Sequence, residues 1–178
     1  MAQHILLLRG INLPGRNRIA MAVLRDVLTA AGFGDVRTYL QSGNIVLAST
    51  AKADDVVREA KGLIAKEFDL DIAVVVRTRS QLAKVVELNP LEQLATNPKR
   101  YQVSFLDAKP TRDVMRRVEE AAVPPERVVA SGREIYAWHP EGIGRSQLWT
   151  LLAGQRLGVT ATARNWTTVT NLLSLAQE

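Results

Sequence analysis

The sequence predicts an α+β protein of two lobes, the first of them ferredoxin-like, and three observations carry that reading. First, 178 residues that are 47% hydrophobic and 23% charged suit one globular unit or two small packed lobes, and exclude a disordered or fibrous chain. Second, the first half runs strand, helix, strand, strand, helix, strand when its apolar periodicity is followed. Third, the second half starts the same order again as strand, helix, strand, strand, helix, then adds a final helix. The echo is of element order only, with no repeated sequence.

The elements follow in order. His4 to Arg9 is a continuous apolar run long enough for a buried strand and too short for a helix. Met21, Leu24, Leu28 and Ala31 recur at helical spacing and stop at Gly32, a residue suited to a left-handed cap. Val36 to Gln41 and Asn44 to Ala48 flank Ser42-Gly43 as a β-hairpin. Asp54 and Asp55 open a helix with Val57, Ala60, Ile64 and Phe68 on one face, and Ile72 to Thr78 is a β-branched strand. Residues 1–79 therefore form the ferredoxin-like lobe. Ser80 is placed to cap a short helix that Asn89-Pro90 stops, so 80–100 reads as a helical linker.

Residues 101–178 form the second lobe. Tyr101 to Leu106 is a strand, and Thr111 caps a helix that Pro124-Pro125 ends. Arg127 to Ala130 and Glu134 to Trp138 make a hairpin around Ser131-Gly132. Ser146 caps a helix carrying Leu148, Leu151 and Leu152, and the last helix carries Trp166, Val169, Leu172, Leu173 and Ala176.

Composition removes much ordinary chemistry. With no cysteine and only His4 and His139 for histidines, disulfides, thiolate or histidine-rich metal sites and a cysteine nucleophile are excluded, and no metal or other cofactor is expected. No stretch approaches the ~20 apolar residues of a membrane span. The start Met1-Ala2-Gln3-His4 leads into an apolar segment broken by Arg9, unlike a signal peptide. A cytoplasmic protein without a membrane partner is expected, its oligomeric state unspecified.

The net charge of +5 is unevenly placed. Residues 1–25 carry Arg9, Arg16, Arg18 and Arg25 without an acid, and residues 142–177 carry Arg145, Arg156 and Arg164 without an acid. If the fold joins these segments, they build a positive field that attracts anions. The loop after the first strand, Gly10-Ile11-Asn12-Leu13-Pro14-Gly15-Arg16-Asn17, has the glycine spacing of a P-loop but Arg16 and Asn17 where lysine and a hydroxyl belong. A hairpin-containing topology contradicts a P-loop enzyme. Two further loops, Glu141 to Ser146 and Thr160 to Asn165, also place an arginine at or just before a helix start, where a cation is disfavoured unless an anion binds.

The candidate anion-binding set is therefore Arg9, Gly10, Asn12, Gly15, Arg16, Asn17, Arg18, Arg145, Ser146, Arg164 and Asn165. Salt bridges from these arginines to Asp35 or Glu141 are the structural alternative. Trp166 is a candidate for stacking a base, although its place on an apolar helical stripe favours the core. Gln41, Ser42 and Asn44 read as turn formers, and no serine, histidine and acid set stands in a recognisable catalytic order.

The runs LLRGIN at 7–12, TYLQSGNIV at 38–46, VRT at 76–78 followed by Asn89-Pro90, and TARNWTTV at 162–169 resemble the bacterial family known as domain of unknown function 1697. The resemblance implies two α+β lobes and carries no activity, cofactor or catalytic residue. Pro14, Arg16 and Thr167 depart from the family's usual glycine, lysine and asparagine.

Together these features predict a binding module for a phosphate-bearing partner, nucleic acid or nucleotide, in a basic cleft between the lobes, with loop 10–18 beside segment 162–167. An enzyme acting on a phosphorylated small molecule and a module for an acidic protein are the alternatives. The enzyme ranks lower because no general base is evident in the acid-free segments.

Overall fold

The computed structural model describes residues 1–177, and the chain divides into two units, Met1–Ala83 with the segment from Leu172 onward, and Lys84–Asn171. In the first unit the apolar run near the N-terminus becomes β1 (Ala2–Leu8), followed by α1 (Met21–Ala30), β2 (Gly34–Tyr39), β3 (Asn44–Ser49), α2 (Ala53–Phe68) and β4 (Val74–Thr78). The strands form one antiparallel sheet in the order β2-β3-β1-β4, the ferredoxin-like order. Leu6, Leu8, Ile45 and Leu47 on one sheet face pack with Leu24 and Leu28 of α1 and Ala60 and Ile64 of α2. Ile5, Leu7, Val46 and Val75 on the opposite face are buried as well. Burial of both faces explains why β1 reads as an unbroken apolar run rather than an alternating one.

The second unit holds β5 (Tyr101–Leu106), α4 (Arg112–Ala121), β6 (Arg127–Ser131), β7 (Glu134–Trp138), α5 (Gln147–Ala153) and β8 (Ala161–Asn165). Its sheet order is β6-β7-β5-β8. The strand β8 corrects the sequence reading, which ran Thr160 to Asn165 directly into a helix. Ala-Thr-Ala-Arg-Asn offers no large apolar residue by which a strand could announce itself. Pairing supplies the strand instead: Gln102↔Asn165, Val103↔Arg164 and Phe105↔Thr162 lock it to β5.

With β8 in place the two units repeat one another in register, not only in element order. Ile5 lies opposite Val46 and Arg77, while Val103 lies opposite Tyr136 and Arg164. The Leu8 N–H donates to Gly43 O and the Arg9 N–H to Ala73 O; correspondingly, Leu106 donates to Arg133 O and Asp107 to Thr160 O. Each fourth strand runs straight into a helix, α3 (Arg79–Leu88) after β4 and α6 (Trp166–Leu175) after β8. Thr78 caps the first: its Oγ1 accepts from the Gln81 N–H while its own N–H donates to Gln81 Oε1. This corrects the expected cap at Ser80, whose hydroxyl instead meets that of Thr78. Asn165 caps the second, with Oδ1 accepting from the Thr168 N–H at 2.9 Å. Thr111 and Ser146 cap α4 and α5 as expected.

His4 sits on β1 opposite Leu47 and Thr78, only 2% exposed, and neither ring nitrogen reaches hydrogen-bonding geometry. Burial lowers its pKa below the ordinary value of 6.5, and the neighbouring Ala51 backbone offsets part of that effect. The native state therefore favours the neutral ring. Below pH 6.5 the unfolded chain binds the proton that the folded chain resists, so stability is complete above that pH and falls as pH drops below it. Replacing His4→Leu should shrink the loss of stability between neutral pH and pH 5, read as the shift in urea midpoint of the variant against the parent chain.

Candidate functional site

The loop between β1 and α1, residues 9–20, is longer than its counterpart in the second unit, residues 107–111. The loop makes its own scaffold. Asn12 Nδ2 donates to Ile19 O at 3.0 Å and to Gln41 O at 2.6 Å, and Asn12 Oδ1 accepts from the Ile19 N–H at 2.8 Å. Asn17 Nδ2 donates to Gly10 O at 2.8 Å, and the Asn12 N–H donates to Asn17 O. Leu13 and Arg16 close a small turn between them. Gly10, Asn12, Gly15 and Asn17 all have positive φ, a conformation asparagine tolerates better than most residues and glycine tolerates best.

This loop rests on the β2–β3 hairpin. A Cβ on Gly43 would stand 2.7 Å from Leu8 Cβ and 2.8 Å from Ile11 Cδ1, so only glycine admits the approach. Asn44 Nδ2 donates to Tyr39 O and to Ser42 Oγ, which makes it the turn former expected. The LLRGIN and TYLQSGNIV runs thus meet at one end of the β1 and β3 strands.

The structure gives the expected site residues different roles. Asn12 and Asn17 are staples of the loop, their amides engaged with main chain. Arg9 is half-buried and its N–H holds Ala73 O. Arg16 and Arg18 are exposed and form no ion pair among the described residues. Asp35, named as an alternative acid for them, is bound by Arg37 through Nε at 3.1 Å and Nη2 at 3.0 Å.

Arg164 is a correction. It lies inside β8, 8% exposed, rather than at a helix start, and its Nη1 donates to Thr162 Oγ1 at 2.7 Å and Ala163 O at 2.8 Å. Burial pulls its pKa down to about 10, which leaves it charged at neutral pH. Asn165 is engaged as the α6 cap. Trp166 is half-buried and stacks on Tyr101 with centroids 4.9 Å apart and planes at 21°.

The loop between β7 and α5, residues 139–146, is likewise longer than the matching 50–52 of the first unit. It is tied to Arg100, whose carbonyl accepts from the His139 N–H and whose guanidinium holds Pro140 O. A serine, a histidine and an acid meet here, a cluster that the sequence did not point to. His139 Nδ1 lies 2.6 Å from Glu126 Oε2, and the Ser146 hydroxyl donates to the same oxygen at 2.5 Å. Ser146 Oγ also accepts from the Trp149 N–H. No catalytic relay results, because serine and carboxylate address the same ring nitrogen, while Nε2 is buried without a partner. The three act as a clasp. Beside it opens a cavity of about 540 Å³ whose lining includes Pro124, Pro125, Glu126, Glu141, Arg145 and Ser146. Nothing in the local sequence announced the clasp, since Glu126 belongs to a different loop from its partners.

Two stability outcomes follow. Asn12→Gly keeps the backbone free to hold φ 50° but removes three hydrogen bonds, and should cost about 2–3 kcal/mol in denaturant unfolding, with Asn12→Ala costing more. Glu126→Ala strips His139 and Ser146 of a shared acceptor and should cost about 3 kcal/mol, measured the same way.

Comparisons with known proteins agree with this architecture. Residues 1–136 match the family model described as "Protein of unknown function (DUF1697)", so the TARNWTTV run lies beyond the matched part. Among solved structures, the conserved bacterial protein SP0830 from Streptococcus pneumoniae is similar at 22% identity and TM-score 0.82, over 98% of each chain, which shows a shared fold. The acetolactate synthase small subunit from Thermotoga maritima matches at 13% identity over 93% of this chain and 98% of that one, with a TM-score of 0.26 that supports no structural argument. No curated protein matches.

Proposed function

The chain belongs to the DUF1697 family of proteins of unknown function, and we propose that it is a binding module for a phosphate-bearing anion, nucleic acid or nucleotide, which docks on the loop at residues 9–18. The observation that carries this reading is the pair Arg16 and Arg18, exposed and without an acidic partner among the described residues, on a loop whose backbone is already stapled. A guanidinium presents planar donors that match two phosphate oxygens at once. A loop held in one conformation before binding loses little entropy on contact. Gly15, with nothing within 4 Å of its Cβ position, leaves the backbone approachable at the tip. Arg145, on the second unit, lines the cavity with Glu126 and Glu141 and is not part of this loop. Arg164 and Asn165 play no part, since their groups already serve strand and cap.

Fluorescence polarisation with labelled single- and double-stranded oligonucleotides, and with labelled nucleotides, tests the reading on the full chain. Binding should weaken as salt rises from about 50 to 200 mM, because each neutralised phosphate releases counterions. The double variant Arg16→Ala and Arg18→Ala should bind about tenfold or more weakly, whereas Arg58→Ala, a surface arginine paired with Asp55, should change nothing. Absence of binding to every probe, or equal loss in both variants, overturns it.

A further inference from the structure

We propose that the cavity in the second unit binds a free amino acid with an apolar side chain, independently of the anion site above. Its volume of about 540 Å³ falls in the range of small-molecule sites, and its lining carries opposite charges. Arg145 supplies a guanidinium, while Glu126 and Glu141 supply two carboxylates. Arg145 and Glu141 are both exposed and neither forms an ion pair among the described residues, so each keeps its charge available to a ligand.

This mixture selects against a simple ion of either sign. A phosphate or carboxylate drawn to Arg145 meets Glu126 and Glu141, and an amine drawn to the glutamates meets Arg145. A molecule bearing both charges satisfies both walls. Val123, Pro124, Pro125 and Pro140 add an apolar part of the lining, against which an aliphatic or aromatic side chain rests, while Ser146 and Gln147 add polar groups.

The comparison of the two units adds an independent reason to read the cavity as a site. The first unit crosses from its third strand to the next helix with residues 50–52, so the fold does not need the longer segment 139–146. That segment is nevertheless held by a clasp of Glu126, His139 and Ser146 and by two bonds to Arg100. Extra chain that is fixed this firmly builds the cavity wall rather than the sheet. Glu126 has both tasks: its Oε2 holds the clasp while the residue lines the cavity.

Isothermal titration of the full chain with leucine, isoleucine, valine, methionine and phenylalanine tests the proposal. At least one should bind at millimolar concentration or better, and both its N-acetyl derivative and its decarboxylated amine should bind at least tenfold more weakly. Arg145→Ala and Glu141→Gln should each weaken binding about tenfold, at unchanged melting temperature because both side chains are exposed and without an ion pair among the described residues. The Arg16→Ala and Arg18→Ala variant should bind the amino acid as the parent chain does, which separates this site from the proposed anion loop. Failure of all five amino acids to bind, equal binding of the N-acetyl form, or indifference to Arg145→Ala overturns the proposal.

Discussion

Each sheet depends on its first strand being bonded on both edges. β1 is held between β3 and β4, and β5 between β7 and β8, so these four strands take their register from β1 and β5, and β2 and β6 pair in turn on β3 and β7. The requirement is physical, because a buried strand edge leaves backbone donors and acceptors without partners. It also explains how a segment as poor in large apolar residues as Ala161–Asn165 becomes a strand. The exposed edge of β5 can be satisfied by any chain able to extend, and threonine and alanine permit extension even where they do not demand it.

One consequence of that shared register is a pair of matching buried arginines. Arg77 on β4 and Arg164 on β8 stand at equivalent places, 1% and 8% exposed, and each donates from Nη1 to the carbonyl of the residue before it. Both precede the capping residue of the next helix, Thr78 or Asn165. The units thus share a frame of four strands, a buried guanidinium and a capped helix. What they do not share is loop length, at 9–20 in one and 139–146 in the other. These two loops are among the differences between the units, and Ile11 and Ile19 of the first are buried in the core of its unit. Both loops are also braced by side chains: Asn12 and Asn17 in the first, Glu126 and Ser146 in the second.

Much of this frame was legible in the sequence, and the parts that were not have identifiable reasons. Tyr101–Leu106 was read to its limits because six successive residues are buried, and Thr111 and Ser146 announced their helices through short-range capping chemistry. The β8 strand was hidden because its stability comes from pairing across the sheet, a long-range term that periodicity does not register. The cap at Thr78 was misplaced by two positions because threonine and serine at 78 and 80 carry equivalent hydroxyls. Arg164 was assigned to a binding site because it precedes a helix in an acid-free segment, whereas burial in the strand gives it a structural role. The clasp of Glu126, His139 and Ser146 depends on separations of 13 and 20 residues across a hairpin, which no local pattern encodes.

The charge segregation that stands out in the sequence consequently divides into two kinds of arginine. Acid-free segments are a poor guide when taken whole, because a guanidinium inside a sheet and one on a loop contribute equally to net charge and very differently to the surface field. In the N-terminal segment Arg16 and Arg18 remain outward, while in the C-terminal segment Arg145 is exposed and Arg164 is enclosed. An anion therefore meets fewer positive groups than the count suggests, and those it meets lie on loops that are already shaped. Under the proposed function, recognition by few groups on a rigid support would rely more on geometry than on accumulated charge, with a modest salt dependence, since the slope follows the number of phosphates neutralised. The same reasoning separates the cavity from a general anion site. There a single arginine shares the lining with two carboxylates, and the balance of signs, rather than their sum, decides what can bind.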